Sequence, residues 1–405
     1  MGISGSGMSA VAEIAKAQGF EVSGCDLKLE GHDVKHLDGI DLLCVTPAVF
    51  YQNADNPELV EAKKKNIVMT WQQFMGKYLH QDKFLICVAG THGKSTTTAM
   101  IGQLLESANL DPTVEVGAVV NAWHTNFRIG QSKYFVSEAD EFYDNFSTYK
   151  PDVIILTLLE FDHPEYFGTI DKMLESFQKF INNLKPNGTI IYNADSPLVS
   201  HLQLPKDSVP YHLSDFPKDF PLSIPGDHNK LNATAVIKLA ELLKINPSSI
   251  SNFSGLERRL QLLGETHGVK VYDDYANHPS SFSATITAVK QMYPKSTLWA
   301  IIEPHTYSRL RILLSDLPDS VKLADHVIIS KIFASRESDP GDFTGQNIAN
   351  TIPNALYIPE FRDIAAYLHN HTAPGDIVLV MGSGNSYQLS RDILTSLLNK
   401  SPLSL

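Results

Sequence analysis

Short apolar runs recur along this chain, and most are followed by a glycine-rich or polar segment. The clearest are residues 84–89, 153–157, 298–302 and 377–381, in which apolar residues follow one another with little alternation. Such runs are typical of strands buried on both faces of a parallel sheet. Since helical stretches lie between them, the sequence predicts an α/β protein whose mainly parallel sheets are flanked by helices.

Weaker patterns predict further elements. Helices are expected at residues 9–18, 97–108 and 170–183, and strands at 20–23, 41–46, 134–137, 189–192, 269–272 and 326–329. At 405 residues the chain exceeds what one hydrophobic core usually organises. We predict three domains: a short Rossmann-like one at residues 1–80, a central phosphate-binding one at 81–252 and a Rossmann-like one at 253–405.

The segment 90–96, Gly-Thr-His-Gly-Lys-Ser-Thr, joins a predicted strand to a predicted helix. In such a loop the glycines let the backbone approach phosphates, Lys94 would reach the outer phosphates, and Ser95 would ligate Mg²⁺. Val88 occupies the first glycine position of the usual G-x-x-x-x-G-K-[ST] pattern. The sequence therefore predicts nucleotide triphosphate binding, with an ordinary strand-to-helix turn as the alternative.

Polar clusters follow other predicted strands of the central block. The acidic run 138–141 begins with Glu138, whose carboxylate suits Mg²⁺, although a solvated acidic loop is the alternative. His163 stands before a proline in a loop, where a histidine is more often a surface or core residue. Asn229 and Asn232 share a helical face that can bind the edge of a planar base, although capping by Asp227 explains part of the pattern.

The two ends of the chain carry weaker signals. A glycine turn at residues 2–8, a helix, a strand and then Asp26 form a Rossmann-type arrangement, in which Ser4 replaces the middle glycine. A tight turn of any α/β unit is the alternative. Near the other end, the segments 273–279 and 303–309 each follow a predicted strand and contain histidines with an aspartate or arginine. Together these can hold a carboxylate and contact phosphate, whereas each alone is more typical of a solvated loop.

Composition narrows the class of protein. The net charge of −12 argues against a nucleic-acid surface. Cys25, Cys44 and Cys87 have no C-x-x-C spacing, and they are interpreted as small buried hydrophobes of a reducing compartment, with neither disulfides nor a zinc site. No apolar stretch approaches the length of a membrane span. We expect a cytoplasmic protein.

Taken in order, the segments 90–95, 138–141, 226–232 and 273–279 resemble the signatures of the Mur ligases, the ATP-dependent amino-acid ligases of peptidoglycan precursor synthesis. The segments 2–9, 161–167 and 304–309 are similar to the branch that joins L-alanine to UDP-N-acetylmuramate. The resemblance implies ATP and Mg²⁺ as cofactors and these two small molecules as substrates. It implies no nucleic-acid or membrane partner, and a monomer or weak homodimer.

The resemblance also implies residue roles. Catalytic roles would fall to Lys94, Glu138, His163, His278 and Arg309, and metal ligation to Ser95, Glu138 and His163. The nucleotide would be bound by Gly90, Thr91, His92, Gly93, Lys94, Ser95, Thr96, His228, Asn229, Asn232 and Asp274. The other substrates would be bound by Gly5, Ser6, Gly7, Met8, Asp26, Thr46, His92, Asn126, His305 and Arg309.

Some positions depart from the family pattern. Asn277 stands where the family usually has the first of two histidines, Leu158 stands where asparagine usually follows threonine, and the first domain is short. Three alternatives stay open. One is another ligase of the family, such as the one that attaches a recycled tripeptide to the same sugar nucleotide, and a second is a nucleotide-binding homologue that has lost activity. The third, a dehydrogenase using the N-terminal turn, leaves Lys94 and Glu138 unexplained.

Overall fold

The computed structural model describes residues 1–47, 49–335 and 337–399. Its strands are β1 (Leu43–Val45), β2 (Val68–Thr70), β3 (Phe84–Ala89), β4 (Thr113–Val120), β5 (Thr125–Arg128), β6 (Tyr134–Glu138), β7 (Val153–Leu156), β8 (Thr189–Asn193), β9 (Val209–Tyr211), β10 (Gln261–Thr266), β11 (Val269–Asp274), β12 (Leu298–Ile302), β13 (His326–Ile329), β14 (Leu356–Tyr357) and β15 (Ile377–Met381).

The α-helices of the described residues are α1 (Ser6–Ala17), α2 (Val49–Gln52), α3 (Pro57–Lys64), α4 (Trp71–Phe74), α5 (Lys94–Ser107), α6 (Pro164–Phe167), α7 (Ile170–Ile181), α8 (Asp227–Leu243), α9 (Pro279–Met292), α10 (Tyr307–Leu313), α11 (Leu317–Val321), α12 (Gly345–Ala349), α13 (Phe361–His371) and α14 (Ser386–Leu398). The strands form three sheets, so the predicted α/β class with mainly parallel sheets and flanking helices is confirmed.

A seven-stranded sheet carries the phosphate loop. Its order is β5-β4-β6-β3-β7-β8-β9, parallel throughout except for the antiparallel edge strand β5. The central strand β3 is buried along nearly its whole length, as its continuous apolar run predicts. Since β6, β3 and β7 are neighbours and run parallel, the segments that follow them leave the sheet at one edge.

Helix α7 illustrates how local sequence fixes an element beside this sheet. The Thr169 side chain accepts a hydrogen bond from Lys172 N at 3.3 Å, which caps the helix start. Met173, Phe177 and Phe180 recur at helical spacing and are fully or almost fully buried in the core. The predicted helix at 170–183 is therefore confirmed, with its end two residues earlier.

The six-stranded sheet of the C-terminal part has the order β10-β11-β15-β12-β13-β14. Here the edge strand β10 pairs antiparallel, and the other described pairs are parallel. The central strands β12 and β15 are entirely buried, as their continuous apolar runs predict.

The sheet of the N-terminal part, within the residues described, is the two-stranded parallel pair β1-β2. The predicted strand at residues 20–23 is wrong, because this segment pairs with no other strand in the part of the chain described. Just after this segment, the backbone amides of Gly2 and Ile3 both donate hydrogen bonds to Cys25 O, at 2.8 and 3.2 Å. Two hydrogen bonds to a single carbonyl oxygen are not the repeating hydrogen-bond pattern of paired β-strands.

The chain divides into two compact units, residues 1–224 with 229–254 and residues 225–228 with 255–405. The first unit contains both the two-stranded and the seven-stranded sheet, and the second contains the six-stranded sheet. The domain limits at residues 80 and 252 stay predictions. None of the helices in the described ranges is long and apolar enough to cross a membrane.

Candidate functional site

The loop after β3 has the backbone of a phosphate-binding turn. Gly90 has a φ of 142° and Gly93 a φ of 84°, values that favour glycine. Space is equally restrictive, since a Cβ at Gly90 would lie 2.1 Å from Thr157 Oγ1. Gly93 is the N-cap of α5, which begins at Lys94 and so places the first amides of a fourteen-residue helix at the loop. Such amides bind anions.

The segment after β7 holds this loop in place. Thr91 N donates to Leu158 O at 2.8 Å, and the Thr91 hydroxyl donates to Glu160 O, also at 2.8 Å. His92 Nε2 lies 2.8 Å from Glu160 Oε2. Leu158 therefore contributes its carbonyl oxygen, which any residue at this position supplies. That contact does not depend on the asparagine that the family pattern expects.

Lys94 is folded over the loop. Its ammonium donates to Gly90 O at 2.6 Å and to Glu141 Oε2 at 2.8 Å. Burial opposes the charge, but the carboxylates of Glu141, Asp140 and Glu138 outweigh it and raise the pKa of Lys94. A permanently charged ammonium among backbone amides is what the outer phosphates of a nucleotide require.

Ser95 and Glu138 meet beside the loop. The Ser95 hydroxyl donates to Glu138 Oε1 at 3.0 Å, and Gly117 N donates to Glu138 Oε2 at 2.6 Å. A Cβ at Gly117 would lie 2.9 Å from both carboxylate oxygens, so glycine is what lets the carboxylate lie here. A hydroxyl and a carboxylate at the mouth of a phosphate loop are hard oxygen ligands, and they fit Mg²⁺ with phosphate and water completing its shell.

A further carboxyl lies below this pair. Glu115 is buried in β4 and accepts a hydrogen bond from the Ser137 hydroxyl at 3.1 Å. Burial, together with the nearby Glu138 charge, raises the pKa of Glu115 to about 8. At neutral pH Glu115 is therefore mostly protonated.

His163 lies at the same edge of the sheet. It has a φ of 54°, and its ring packs 4.4 Å from that of Phe142. Its Nδ1 lies 3.3 Å from Glu165 Oε1 and its Nε2 3.8 Å from Asp162 Oδ2. His163 also stabilises the charged form of Glu141, the partner of Lys94. His163, which was predicted to ligate a metal, therefore lies close to the acidic run 138–141.

The predicted adenine residues lie on α8. Asn229 and Asn232 are both buried, as their common helical face predicts. Asn232 lies against the phosphate loop, because a Cβ on Gly93 would be 2.4 Å from Asn232 Oδ1. His228 belongs to the second unit, where its ring lies against Gly226.

The predicted sugar-nucleotide residues surround the start of α1. Gly5 is the N-cap of α1, whose first turn contains Ser6, Gly7 and Met8. Two hydrogen bonds fix this turn: Asp26 Oδ2 accepts from Ser4 N at 3.0 Å, and Asn126 Nδ2 donates to Ser6 O at 3.0 Å. Thr46 packs against Gly2, where a Cβ would lie 3.2 Å from Thr46 Cγ2. The backbone amide of Lys28, with that of Ser4, lowers the pKa of Asp26.

In the second unit, Asp274 ends β11 and organises the loop that follows. Its carboxylate accepts hydrogen bonds from Leu260 N at 2.6 Å and Ala276 N at 2.8 Å. The residues that follow also make structural contacts. Asn277 Nδ2 donates to Ser383 Oγ at 2.9 Å. His278 is the N-cap of α9, and its Nδ1 lies 2.8 Å from Ser280 Oγ. The contacts described for Asp274 are structural, and its nucleotide role stays a prediction.

Arg309 lies in helix α10, which begins shortly after β12. Only 3% of its surface is exposed, and its Nη1 is 3.4 Å from His305 Nδ1. Glu337 fixes the turn before it, because its carboxylate accepts from Tyr307 N at 2.5 Å and from Ser308 N at 3.1 Å. His305 and Arg309 therefore lie side by side, although Arg309 belongs to helix α10 and not to the predicted strand-end loop.

Within the first unit the structure joins Lys94, Ser95, Glu138, His163 and Asn232 around one loop. Sequence reasoning did not single out Glu141 or Glu160, which contact Lys94 and His92. The acidic run 138–141 contained the signal for Glu141. Which of its members turns toward the lysine depends on the following 3₁₀ segment, where Tyr143 and Asp144 have positive φ values.

Comparison with known proteins covers nearly the whole chain. Three family models match it: "Mur ligase family, catalytic domain" at residues 1–83, "Mur ligase middle domain" at 88–219 and "Mur ligase, glutamate ligase domain" at 258–384. The UDP-N-acetylmuramate–L-alanine ligase of Alkaliphilus metalliredigens is 35% identical over 97% of this chain and 96% of the relative.

Two solved structures share the fold. The UDP-N-acetylmuramate–alanine ligase of Thermotoga maritima has a TM-score of 0.78 at 24% identity, covering 97% of both chains. A murein peptide ligase of Psychrobacter arcticus has a TM-score of 0.71 at 24% identity, covering 99% of this chain and 98% of that one. This chain therefore has the fold of these two proteins.

Proposed function

The chain belongs to the Mur ligase family, and we propose that it joins L-alanine to the lactyl carboxylate of UDP-N-acetylmuramate with ATP as the phosphoryl donor. The observation that carries the ligase chemistry is the arrangement of Lys94, Ser95 and Glu138 at the loop between β3 and α5. The choice of alanine rests on the curated relative, which matches nearly the full length.

The proposed reaction has two steps, phosphoryl transfer and amide formation. In the first, a carboxylate oxygen of UDP-N-acetylmuramate attacks the γ-phosphorus of ATP, the bond to the β-phosphate oxygen breaks, and an acyl phosphate and ADP form. In the second, the neutral amine of L-alanine attacks the acyl carbon, phosphate leaves with its bonding electron pair, and the amine gives up a proton. Positioning and charge neutralisation are what the protein must supply.

Lys94 and the loop amides would hold the phosphates. The ammonium already lies over the loop at Gly90 O, so it needs only to exchange this carbonyl for phosphate oxygens. Its neighbour Glu141 keeps it charged and directed toward the acidic run. Asn232, beside Gly93, would contact the nucleotide from the other side of the loop.

Mg²⁺ would be held by Ser95 and Glu138, and when bound it would neutralise charge on the phosphates. His163 is proposed as the residue on the substrate side of this site, since it lies near Glu141 and among carboxylates. The aromatic contact with Phe142 fixes the ring and excludes water from one of its faces.

The remaining substrates are assigned by position. The turn at the start of α1, fixed by Asp26 and Asn126, is proposed to bind the UDP diphosphate through backbone amides. Arg309 is proposed to bind the carboxylate of L-alanine, because a guanidinium matches a carboxylate bidentately and His305 lies beside it.

ADP release tests the proposal directly. Purified protein is incubated with ATP, Mg²⁺ and UDP-N-acetylmuramate, with L-alanine, other amino acids or the tripeptide added singly. The expected result is amide formation with L-alanine, with one ADP per amide. Turnover with tripeptide alone would identify the recycling ligase.

Nucleotide binding without amide formation from any acceptor would identify a homologue that has lost activity. Asn277 is the reason to test for lost activity. It stands where the family usually has a histidine, and its side-chain amide donates a hydrogen bond to Ser383. Asn277→His is the matched variant: if Asn277 limits the rate, the variant releases ADP faster than the parent protein.

A further inference from the structure

A second group of metal-binding side chains lies in the N-terminal part of the first unit. Cys25 Sγ is 3.2 Å from His32 Nδ1 and 3.3 and 3.4 Å from the two oxygens of Glu58. His32 Nδ1 is 3.5 Å from Glu58 Oε2. One thiol, one imidazole and one carboxylate thus converge on a common point.

The three groups are held in place by their surroundings. Cys25 and Glu58 are 7% and 1% exposed, and the His32 side chain is 10% exposed. Glu58 lies in the first turn of α3, whose N-cap Asn56 accepts hydrogen bonds from Glu58 N at 3.0 Å and Leu59 N at 3.3 Å. A carboxylate this deeply buried requires a strong partner, and a thiol is only a weak hydrogen-bond donor.

The separations match those of a tetrahedral cation site. Zinc binds sulfur at about 2.3 Å and nitrogen or oxygen at about 2.0–2.2 Å, so neighbouring ligands of a tetrahedron lie about 3.3–3.8 Å apart. The observed separations between Cys25, His32 and Glu58 run from 3.2 to 3.5 Å. A thiolate with an imidazole selects Zn²⁺ over Mg²⁺ or Ca²⁺.

We propose that Cys25, His32 and Glu58 form a Zn²⁺ site, separate from the Mg²⁺ site at the phosphate loop. His36 Nδ1, 3.6 Å from Glu58 Oε2, lies next to this site as a neighbour of the carboxylate. This proposal goes against the interpretation of Cys25 from the sequence, which predicted no zinc site because no C-x-x-C pair is present. His32 and Glu58 are 7 and 33 positions from Cys25, so spacing along the chain does not indicate the cluster.

The cation would brace a part of the chain that has little regular structure. Residues 20–33 contain no helix or strand, and the described sheet of this part has only two strands. Asp26, next to Cys25, holds Ser4 N at the turn that begins α1. Zn²⁺ binding therefore ties the segment carrying Asp26 to helix α3.

The test is a metal titration of the full-length protein, first stripped of metal with a chelator. Zn²⁺ binding is measured by calorimetry, and Co²⁺ is added to a parallel sample as a spectroscopic probe. We expect one Zn²⁺ per chain, a thiolate-to-cobalt charge-transfer band, and a rise in melting temperature on Zn²⁺ addition. Cys25→Ser should remove the band, and His32→Ala should weaken binding more than about 100-fold, since outer-shell partners alone account for about 10–100-fold.

Cys44→Ala is the matched control, because this cysteine lies in β1 and outside the cluster. It should keep the band and the affinity. The circular dichroism of each variant shows that it is folded. A parent protein that binds no Zn²⁺, or tight binding that persists in both Cys25→Ser and His32→Ala, would overturn the proposal.

Discussion

The ammonium of Lys94 and the carboxylate of Glu141 form an ion pair at 2.8 Å, with only 14% and 3% of the two side chains exposed. The residues are 47 positions apart and come from the start of α5 and the segment after β6. Removing one member of a buried pair leaves the other charge uncompensated. The lysine of the phosphate loop therefore has a structural partner, and its replacement must be interpreted with that in mind.

Lys94→Ala should lower the rate of ADP release by about 10²–10³-fold, because a charge-assisted contact to the transferring phosphoryl group is lost. It should also destabilise the protein by about 3–5 kcal/mol, because Glu141 stays buried without the cation that compensates its charge. The double variant Lys94→Ala/Glu141→Gln should recover much of that stability and none of the rate. Urea unfolding and steady-state assays separate the two effects, and near-parental turnover in either variant would remove Lys94 from the phosphate site.

Glu138→Gln should shift the Mg²⁺ dependence of turnover to at least about tenfold higher concentration, since a ligand charge is lost. Glu106→Gln is the matched control, because Glu106 lies on the same helix as Ser95 but pairs with Arg128 at the surface. Activity is measured against free Mg²⁺ at saturating ATP. Identical Mg²⁺ curves for Glu138→Gln and the parent would make Glu138 a purely structural partner of Ser95 and Gly117.

Arg309→Lys should raise the KM for L-alanine well beyond any change in the KM for ATP, because an ammonium cannot replace the bidentate guanidinium. Arg311→Lys is the control from the same helix, since Arg311 points to the surface and pairs with Asp342. Both KM values are measured for both variants. A change confined to ATP would assign Arg309 to the phosphates instead.

The raised pKa of Glu115 should make the free energy of unfolding depend on pH. Burial raises its pKa to about 8 in the folded protein from an ordinary value of 4.5, so the folded state keeps a proton that the unfolded state releases. Between these values stability falls as pH rises, with a slope of up to about 1.4 kcal/mol per pH unit from this group. Glu115→Gln cannot ionise.

The stability of the Glu115→Gln variant relative to the parent should therefore increase from pH 5 to pH 8, the range between the unfolded and folded pKa values. Chemical unfolding of both proteins across this range measures the difference, and comparing two proteins at each pH cancels the other titrating groups. A difference that stays constant with pH would show that Glu115 ionises normally in the folded state.

Patterns within one stretch of chain predicted most of the fold. The run at 84–89 predicted β3 with both ends correct, since every residue of a central strand must be apolar. Helix α5 begins three residues before the predicted start, because the left-handed Gly93 lets Lys94 enter the helix directly. The antiparallel edge strands β5 and β10 were missed, since their polar, partly or fully exposed positions interrupt the apolar pattern.

Contacts between distant segments could not be predicted. The position of Glu138 beside Ser95 follows from strand order, in which β6 is a direct neighbour of β3. The Cys25, His32 and Glu58 cluster depends on how a loop without regular structure folds onto α3, which no periodicity records. Residue types along the chain indicate the chemistry, whereas the topology decides which of them meet.

The hydrogen bond from Asn126 to Ser6 has a consequence for where the chain can be divided. Helix α1 packs on β4 and β5, so the N-terminal part and the seven-stranded sheet share a core that contains Val11 and Ile14. A fragment starting after residue 80 would expose that apolar surface to water and would aggregate more readily than the parent protein. Residues 1–224 with 229–254 therefore form one compact unit with a shared core, although sequence comparison divides them into two named modules.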